Sequence, residues 1–463
     1  MDEQIQLLHT NDLHSHFENF PRIERFIKHR RQVNQEANVQ TFLFDVGDAT
    51  DRQHPLTETT QAQANIQWMN RLNYDAVTIG NSEGLYYSHN VLEHMYDTAK
   101  FDVIVGNLKE TNQMLPHFAK EYRIITTAKQ TKIGLLGLTA PYTSAYPLAD
   151  WRIEEVAQVL PTLIVELAPQ VDVLVLLSHL GLSMDRILAK TYPQLDIIIG
   201  AHTHHLLPQG ELVNQTLLTA AGKYGQHVGM INLQLQDHQL ITKSARTIQT
   251  ATLPEHAADQ RVITTYEREG RQLLQQQKLA WLPTTLTKNP FTSCAAINMA
   301  LQALKEITHS SAAMLSSGLF LTDLQAGLVT ADTLHQQLPH AVHIMITKLK
   351  GQDFWRFVME VEKNRGFLRN FPQKGMGFRG KIFGEIVFSG VQVDHKLQQV
   401  FYNGQLVQSD RIYQIALLDH YSFIPFFPTL QIVGQNRILY PEFFRETLGR
   451  YLTKKYPLKQ ESD

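Results

Sequence analysis

The chain has 463 residues, 43% apolar and 19% charged, with a formal charge of −2 at pH 7. That composition belongs to a globular protein of about two or three domains rather than a disordered chain, and so small a net charge leaves no broad basic surface for a nucleic acid polymer or an anionic membrane. The single cysteine, Cys294, excludes an intrachain disulfide, and no apolar run approaches the roughly eighteen residues of a membrane span.

The N-terminus has two acids within Met1–Gln4 and neither a basic n-region nor an apolar h-region. A cytoplasmic protein is therefore expected. From there to about residue 235, short runs rich in Val and Ile alternate with longer mixed segments. Ile5–Leu8, Thr41–Phe44, Ala76–Ile79, Val103–Val105, Ile133–Leu138, Val171–Leu177 and Ile197–Ile199 read as strands buried on both faces. Ile23–Val33 and Thr59–Leu72 between them have helical spacing. The alternation predicts a layered α/β domain over residues 1–254. From Glu255 to Ala280 the composition shifts to Gln, Glu, Arg and Ala, with Pro283 beyond, which predicts one long, mostly exposed linker helix over 255–283. A second, smaller α/β domain is expected over 284–463. It begins with the helix Cys294–Ile307 and has strands such as His343–Lys348, Gly384–Phe388 and Ile412–Leu417.

Twenty-one histidines are many for this length, and imidazole is the commonest metal ligand. Several stand directly after the expected strands, with carboxylates beside them: Asp12-Leu13-His14, Gly47-Asp48, Gly80-Asn81-Ser82-Glu83, His179 and Gly200-Ala201-His202-Thr203-His204. In α/β sheets the crevice beyond the strand carboxyl ends is where ligands bind. Residues i and i+2 of such a loop point into the same crevice, so Asp12/His14 and His202/His204 are natural ligand pairs. Carboxylate with imidazole suits Mn, Zn, Fe or Co, and Asp48 is placed to bridge two ions about 4 Å apart.

These segments resemble the five blocks of the calcineurin-like metallophosphoesterase superfamily, and the opening LLHTNDLHSH resembles its 5′-nucleotidase branch. The resemblance implies a four-layer β-sandwich flanked by helices, a linker helix and a C-terminal substrate domain. It assigns Asp12, His14, Asp48 and His204 to one divalent ion and Asp48, Asn81, His179 and His202 to the other. It also implies attack of a metal-bridging hydroxide on the phosphorus of a nucleotide or related small phosphate ester. The third block departs from the family pattern, which has histidine after the asparagine. Here Asn81 is followed by Ser82, which cannot donate a proton usefully near neutral pH, so about 10²–10⁴-fold of acid catalysis is at stake. His205, His89 and His94 are the alternative donors in the sequence.

In the resembled family the C-terminal domain grips a base between aromatic rings and holds phosphate with an arginine from a Gly-Gly-Ile-Arg block. The matching place here, Ser316-Ser317-Gly318-Leu319-Phe320, has no arginine. Gly318, Phe378, Arg379, Phe383, Phe423 and Phe427 are the substrate-binding candidates, although any single phenylalanine of the set reads more readily as a core residue. Two functions stay open on the sequence: a hydrolase of phosphoester or phosphoanhydride bonds, and a nucleotide-binding pseudoenzyme or sensor with a retained metal site.

Overall fold

In the computed structural model, which describes residues 2–375 and 377–458, all seven apolar runs of the N-terminal half lie in or overlap strands. Asp2–Thr10, Gln40–Val46, Ala76–Thr78 and Asp102–Ile104 pair in parallel as the centre of one sheet. Ala119–Lys120 closes one edge, and the antiparallel strands His227–Gln236 and Gln239–Gln249 extend the other. A second sheet has Lys132–Thr139, Val173–His179, Ile197–Gly200 and Thr216–Thr219 in parallel, with antiparallel edge strands Tyr122–Thr126 and Glu211–Val213.

Leu7, Phe44 and Ile104 of the first sheet meet Leu135, Val175 and Ile199 of the second in one buried cluster. Each such side chain contributes about 1.5–3 kcal/mol when removed from water, so the sheets are held face to face. Helices cover the outer faces. Leu160, Leu163 and Leu167 of Val156–Leu167 pack on Leu136, Leu174 and Leu176. Phe20, at the start of Phe20–Glu36, stacks on Trp68 of Gln63–Arg71 with ring centroids 3.9 Å apart.

The chain divides into two compact units, Met1–Gly270 and Arg271–Asp463. In the second, the strand order is Ile386–Ser389, Ala312–Ser316, Ile412–Leu418, His343–Lys350 and Gln435–Phe443. Helices Ala295–Thr308, Gly351–Leu368 and Phe444–Lys455 contribute Ile297, Leu301, Phe354, Phe357 and Leu448 to its core. Among the described residues no helix is long and apolar enough to cross a membrane.

Two segments depart from their sequence reading. The helical stretch 59–72 belongs to two helices, Pro55–Thr60 and Gln63–Arg71, broken where Gln61 and Ala62 turn left-handed. The Thr59 and Thr60 hydroxyls bond back to the Pro55 and Leu56 carbonyls there, a local alternative to continuing the helix. The expected linker helix runs only from Asp259 to Gln276. Lys278–Leu282 is instead a strand paired with Gly327–Thr330, because Ala280 and Leu282 alternate into the core.

Candidate metal centre

Parallel pairing puts the carboxyl ends of Asp2–Thr10, Gln40–Val46 and Ala76–Thr78 side by side, and likewise those of Val173–His179 and Ile197–Gly200. The five polar segments begin at those ends. His179 is the last residue of its strand, and Asn81 is the first of the helix Asn81–Leu85. Asp12, His14, Asp48, His202 and His204 all adopt left-handed backbone, with φ between 46° and 71°. Such conformations cost about 1–3 kcal/mol each and persist only where the surroundings hold them. Here Asp12 N–H donates to the Gly47 carbonyl (3.0 Å), His14 N–H to Asp48 (2.9 Å) and Ser15 N–H to Ala49 (3.1 Å). The two loops are thus zipped together. At Gly47 a Cβ would run into the Gly80 nitrogen, so the third loop closes on this point as well.

Ligand-type atoms of Asp12, His14 and His204 lie within 4.8 Å of one another, and so do those of Asp12, Asp48 and His179. His204 Nε2 is 3.5 Å from Asp12 Oδ1, and His14 Nε2 is 3.7 Å from Asp48 Oδ2. His179 Nε2 is 3.5 Å from Asp48 Oδ1. Asp48 therefore turns one oxygen toward His14 and the other toward His179. The His202 ring lies 5.1 Å from that of His179, and its backbone N–H donates to Asp12 Oδ1 (3.1 Å). Asn11 orients Asp12: its Nδ2 donates to Asp12 Oδ2 (2.7 Å) while its Oδ1 accepts from Ala221 N–H (3.0 Å).

Two observations show that these residues fit divalent cations. His179 Nε2 and Asn81 Oδ1 are buried and make no hydrogen bond, a costly state for a polar atom unless something else occupies it. Burial, helped by the neighbouring His179 and His14 respectively, lowers the His202 and His204 pKa values to about 4, so both rings are neutral near pH 7, as a metal ligand must be. His179 donates from Nδ1 to the Val46 carbonyl at 2.7 Å, which leaves Nε2 as the nitrogen facing the centre. Burial alone would lower its pKa, but Asp48 and Asp12 raise it to about 10. A divalent cation held at this centre would take the place of that proton. Asp48 itself is held below the carboxylate range: burial raises it, but the His179 and His14 imidazoles outweigh that effect.

Ser82 is buried, and its N–H donates to Asp48 Oδ1 (2.7 Å). The three alternative histidines are engaged elsewhere. His205 Nδ1 bonds Thr203 Oγ1 (2.8 Å), His89 bonds Glu110 (2.9 Å) and stacks on Trp151, and His94 bonds Asp97 (3.0 Å).

Three neighbours of the centre have no role assigned to them from sequence. Glu83 is buried and accepts from the N–H groups of Asp48, Thr50 and Gly80, each at 2.9 Å, and from Thr50 Oγ1 at 2.8 Å. The Tyr142 hydroxyl lies 3.2 Å from His202 Nε2. Tyr224 donates its N–H to the Asp12 carbonyl (2.7 Å) and stacks on His16. Only Glu83 had a signal in sequence, as the acid that closes the Gly80–Glu83 block.

The substrate-binding candidates lie mostly in the interior of the C-terminal unit. Phe383 and Phe427 are fully buried and pack with Tyr421 in the C-terminal core. Gly318 is also interior, its N–H bonded to the Phe383 carbonyl (3.0 Å), where a Cβ would collide with the Ile382 and Phe383 carbonyls. Phe378 is buried and stacked on His340 at 5.0 Å. The Phe378, Phe383 and Phe427 rings fill the core of the C-terminal unit. Arg379 is partly buried, its backbone N–H bonded to His340 Nδ1 (2.9 Å). Phe423 alone among the rings is exposed.

The calcineurin-like phosphoesterase family profile matches residues 5–206, and that of the 5′-nucleotidase C-terminal domain matches residues 272–423. The chain is 33% identical over 460 residues to the uncharacterized metallophosphoesterase YunD of Bacillus subtilis, covering 97% of this chain and 99% of that one. Its fold is similar to that of a 5′-nucleotidase precursor from Thermus thermophilus (TM-score 0.59, 18% identity, covering 99% and 98% of the two chains). The NAD nucleotidase of Haemophilus influenzae is a further structural neighbour (TM-score 0.64, 15% identity, covering 98% and 97%). With two family profiles in tandem and a full-length relative, the chain belongs to the calcineurin-like metallophosphoesterases that carry a 5′-nucleotidase C-terminal domain, a family of metal-dependent phosphohydrolases.

Proposed function

We propose that the protein hydrolyses phosphoanhydride and activated phosphoester bonds of nucleotides or related small molecules at a two-ion centre. The observation that carries this reading is the convergence of Asp12, His14, Asp48, His179 and His204 on two adjoining groups of ligand atoms. The buried, unbonded Asn81 Oδ1 and His179 Nε2 support it. Bound divalent ions supply an activated water as nucleophile and neutralise charge on the phosphoryl oxygens. The chain's own residues hold that chemistry in place. Asp12 belongs to both groups of ligand atoms, Asp48 turns its two oxygens toward His14 and His179, Asn11 and the His202 N–H orient Asp12, and Glu83 fixes the Asp48 and Asn81 loops.

Ser82 decides which bonds break readily. A ribose alkoxide is a strongly basic leaving group and gains much from a proton donor, whereas a departing phosphate is weakly basic and leaves with electrostatic help alone. A site with serine in the usual histidine position is therefore better suited to anhydrides and aryl esters than to nucleoside monophosphates. The names of the neighbours, a 5′-nucleotidase precursor and an NAD nucleotidase, favour nucleotide-type substrates.

The test is phosphate or nitrophenol release with Mn, Co or Zn added, wild type against Asp48→Asn, with metal content measured alongside. With Mn, the wild type is expected to hold about two equivalents per chain and turn over, and the variant to lose both properties. Two equivalents without turnover on any nucleotide, nucleotide sugar or aryl ester would point to the sensor reading. Fewer than about one equivalent, with Asp48→Asn no different, would remove the two-ion centre itself.

A further inference from the structure

Three histidines and three carboxylates gather at the short helix His89–Met95 and the chain that follows it, and none is a ligand of the reaction centre. His94 Nδ1 lies 3.0 Å from Asp97 Oδ2, and His117 Nε2 lies 3.0 Å from Asp97 Oδ1. One carboxylate thus separates two imidazoles, and a ligand atom from each of the three residues falls within 4.8 Å of the other two. A single ion with nitrogen and oxygen ligands about 2.0–2.2 Å away would draw these atoms somewhat closer together, a small movement for exposed side chains. The other ring nitrogen of His117, Nδ1, is bonded to Glu93. A carboxylate in that position fixes the tautomer and orientation of a ligating histidine.

A second observation points the same way. Glu93 Oε2 is buried without a hydrogen-bond partner, and Glu93 forms with His89 and Glu110 another group of ligand atoms within 4.8 Å.

We propose that this patch is a transition-metal site separate from the reaction centre, with His94 Nδ1, His117 Nε2 and the Asp97 carboxylate as ligands and Glu93 holding His117 in position. Two imidazoles and one carboxylate suit zinc, nickel or copper rather than magnesium or calcium. The side chains of His94, Asp97 and His117 are 60%, 48% and 51% exposed, so water completes the coordination and the ion exchanges with solvent. When bound, it ties the end of the helix to the loop that carries His117.

The test is elemental analysis of the full chain equilibrated with zinc, comparing wild type, His94→Ala/His117→Ala and His89→Ala. The double variant is expected to hold about one equivalent less than wild type with unchanged aryl phosphate turnover, while His89→Ala keeps the ion. Equal zinc in wild type and double variant would mean an imidazolium–carboxylate cluster only and would overturn the proposal. So would loss from His89→Ala without loss from the double variant. A double variant that loses turnover along with its zinc would place the missing ion in the reaction centre, again overturning it.

Discussion

Replacing Glu83 with alanine removes the acceptor that holds two metal-bearing loops together. The carboxylate serves the backbone N–H groups of Asp48, Thr50 and Gly80, and all three stay behind when it is gone. A buried donor left without its acceptor costs about 1–3 kcal/mol, so the three together cost about 3–9 kcal/mol. Part of this is offset, because burial and the nearby Asp48 charge already push the Glu83 pKa above its ordinary value. A net loss of about 4 kcal/mol is expected, a large fraction of the roughly 5–15 kcal/mol of a typical domain. In urea this moves the unfolding midpoint of the N-terminal unit down by about 1–2 M. Metal content measured below that transition should also fall, since Asp48 and Asn81 lose their positioning. An unchanged midpoint with full metal content in Glu83→Ala would refute the reasoning.

Two other perturbations test the packing and the electrostatics. Gly270→Ala places a Cβ against the backbone of Pro55 and Leu56. The gain of about 1 kcal/mol in helix propensity is outweighed by about 1–3 kcal/mol of overpacking, so thermal unfolding should show net destabilisation, and stabilisation would contradict the contact. His420 is fully buried with no hydrogen bond on either ring nitrogen, and burial lowers its pKa to about 4. A base depressed in this way contributes stability that is whole above about pH 6.5 and lost as pH falls through 4, an effect of about 3 kcal/mol. His420→Leu should therefore flatten the acid limb of the C-terminal unit in a melting series from pH 7 to pH 4; an acid limb as steep as wild type would contradict this.

What the sequence made legible was periodic or local. The Val- and Ile-rich runs announce buried strands, and polar residues directly after them announce a crevice. Asp12/His14 and His202/His204 follow from their i, i+2 spacing, although the left-handed backbone that aims them depends on contacts between loops. Composition misled at 278–282, where a Gln-rich helix gives way to a strand whose apolar pair, Ala280 and Leu282, is too short to stand out. At Phe383 and Phe427 it was ambiguous, since an aromatic residue reads the same in a core as in a binding cleft. Tyr142 and Tyr224 reach the centre from segments with no motif of their own, so only the folded chain reveals them.

The most direct measurement is the ratio of turnover on adenosine diphosphate to turnover on adenosine monophosphate, for wild type and for Ser82→His. Wild type is expected to favour the anhydride. Restoring histidine at position 82 should raise monoesterase turnover by up to about 10²-fold and anhydride turnover by much less. A wild type that prefers the monophosphate, with the ratio unchanged in Ser82→His, would show that another residue supplies the proton and that position 82 does not set the reaction.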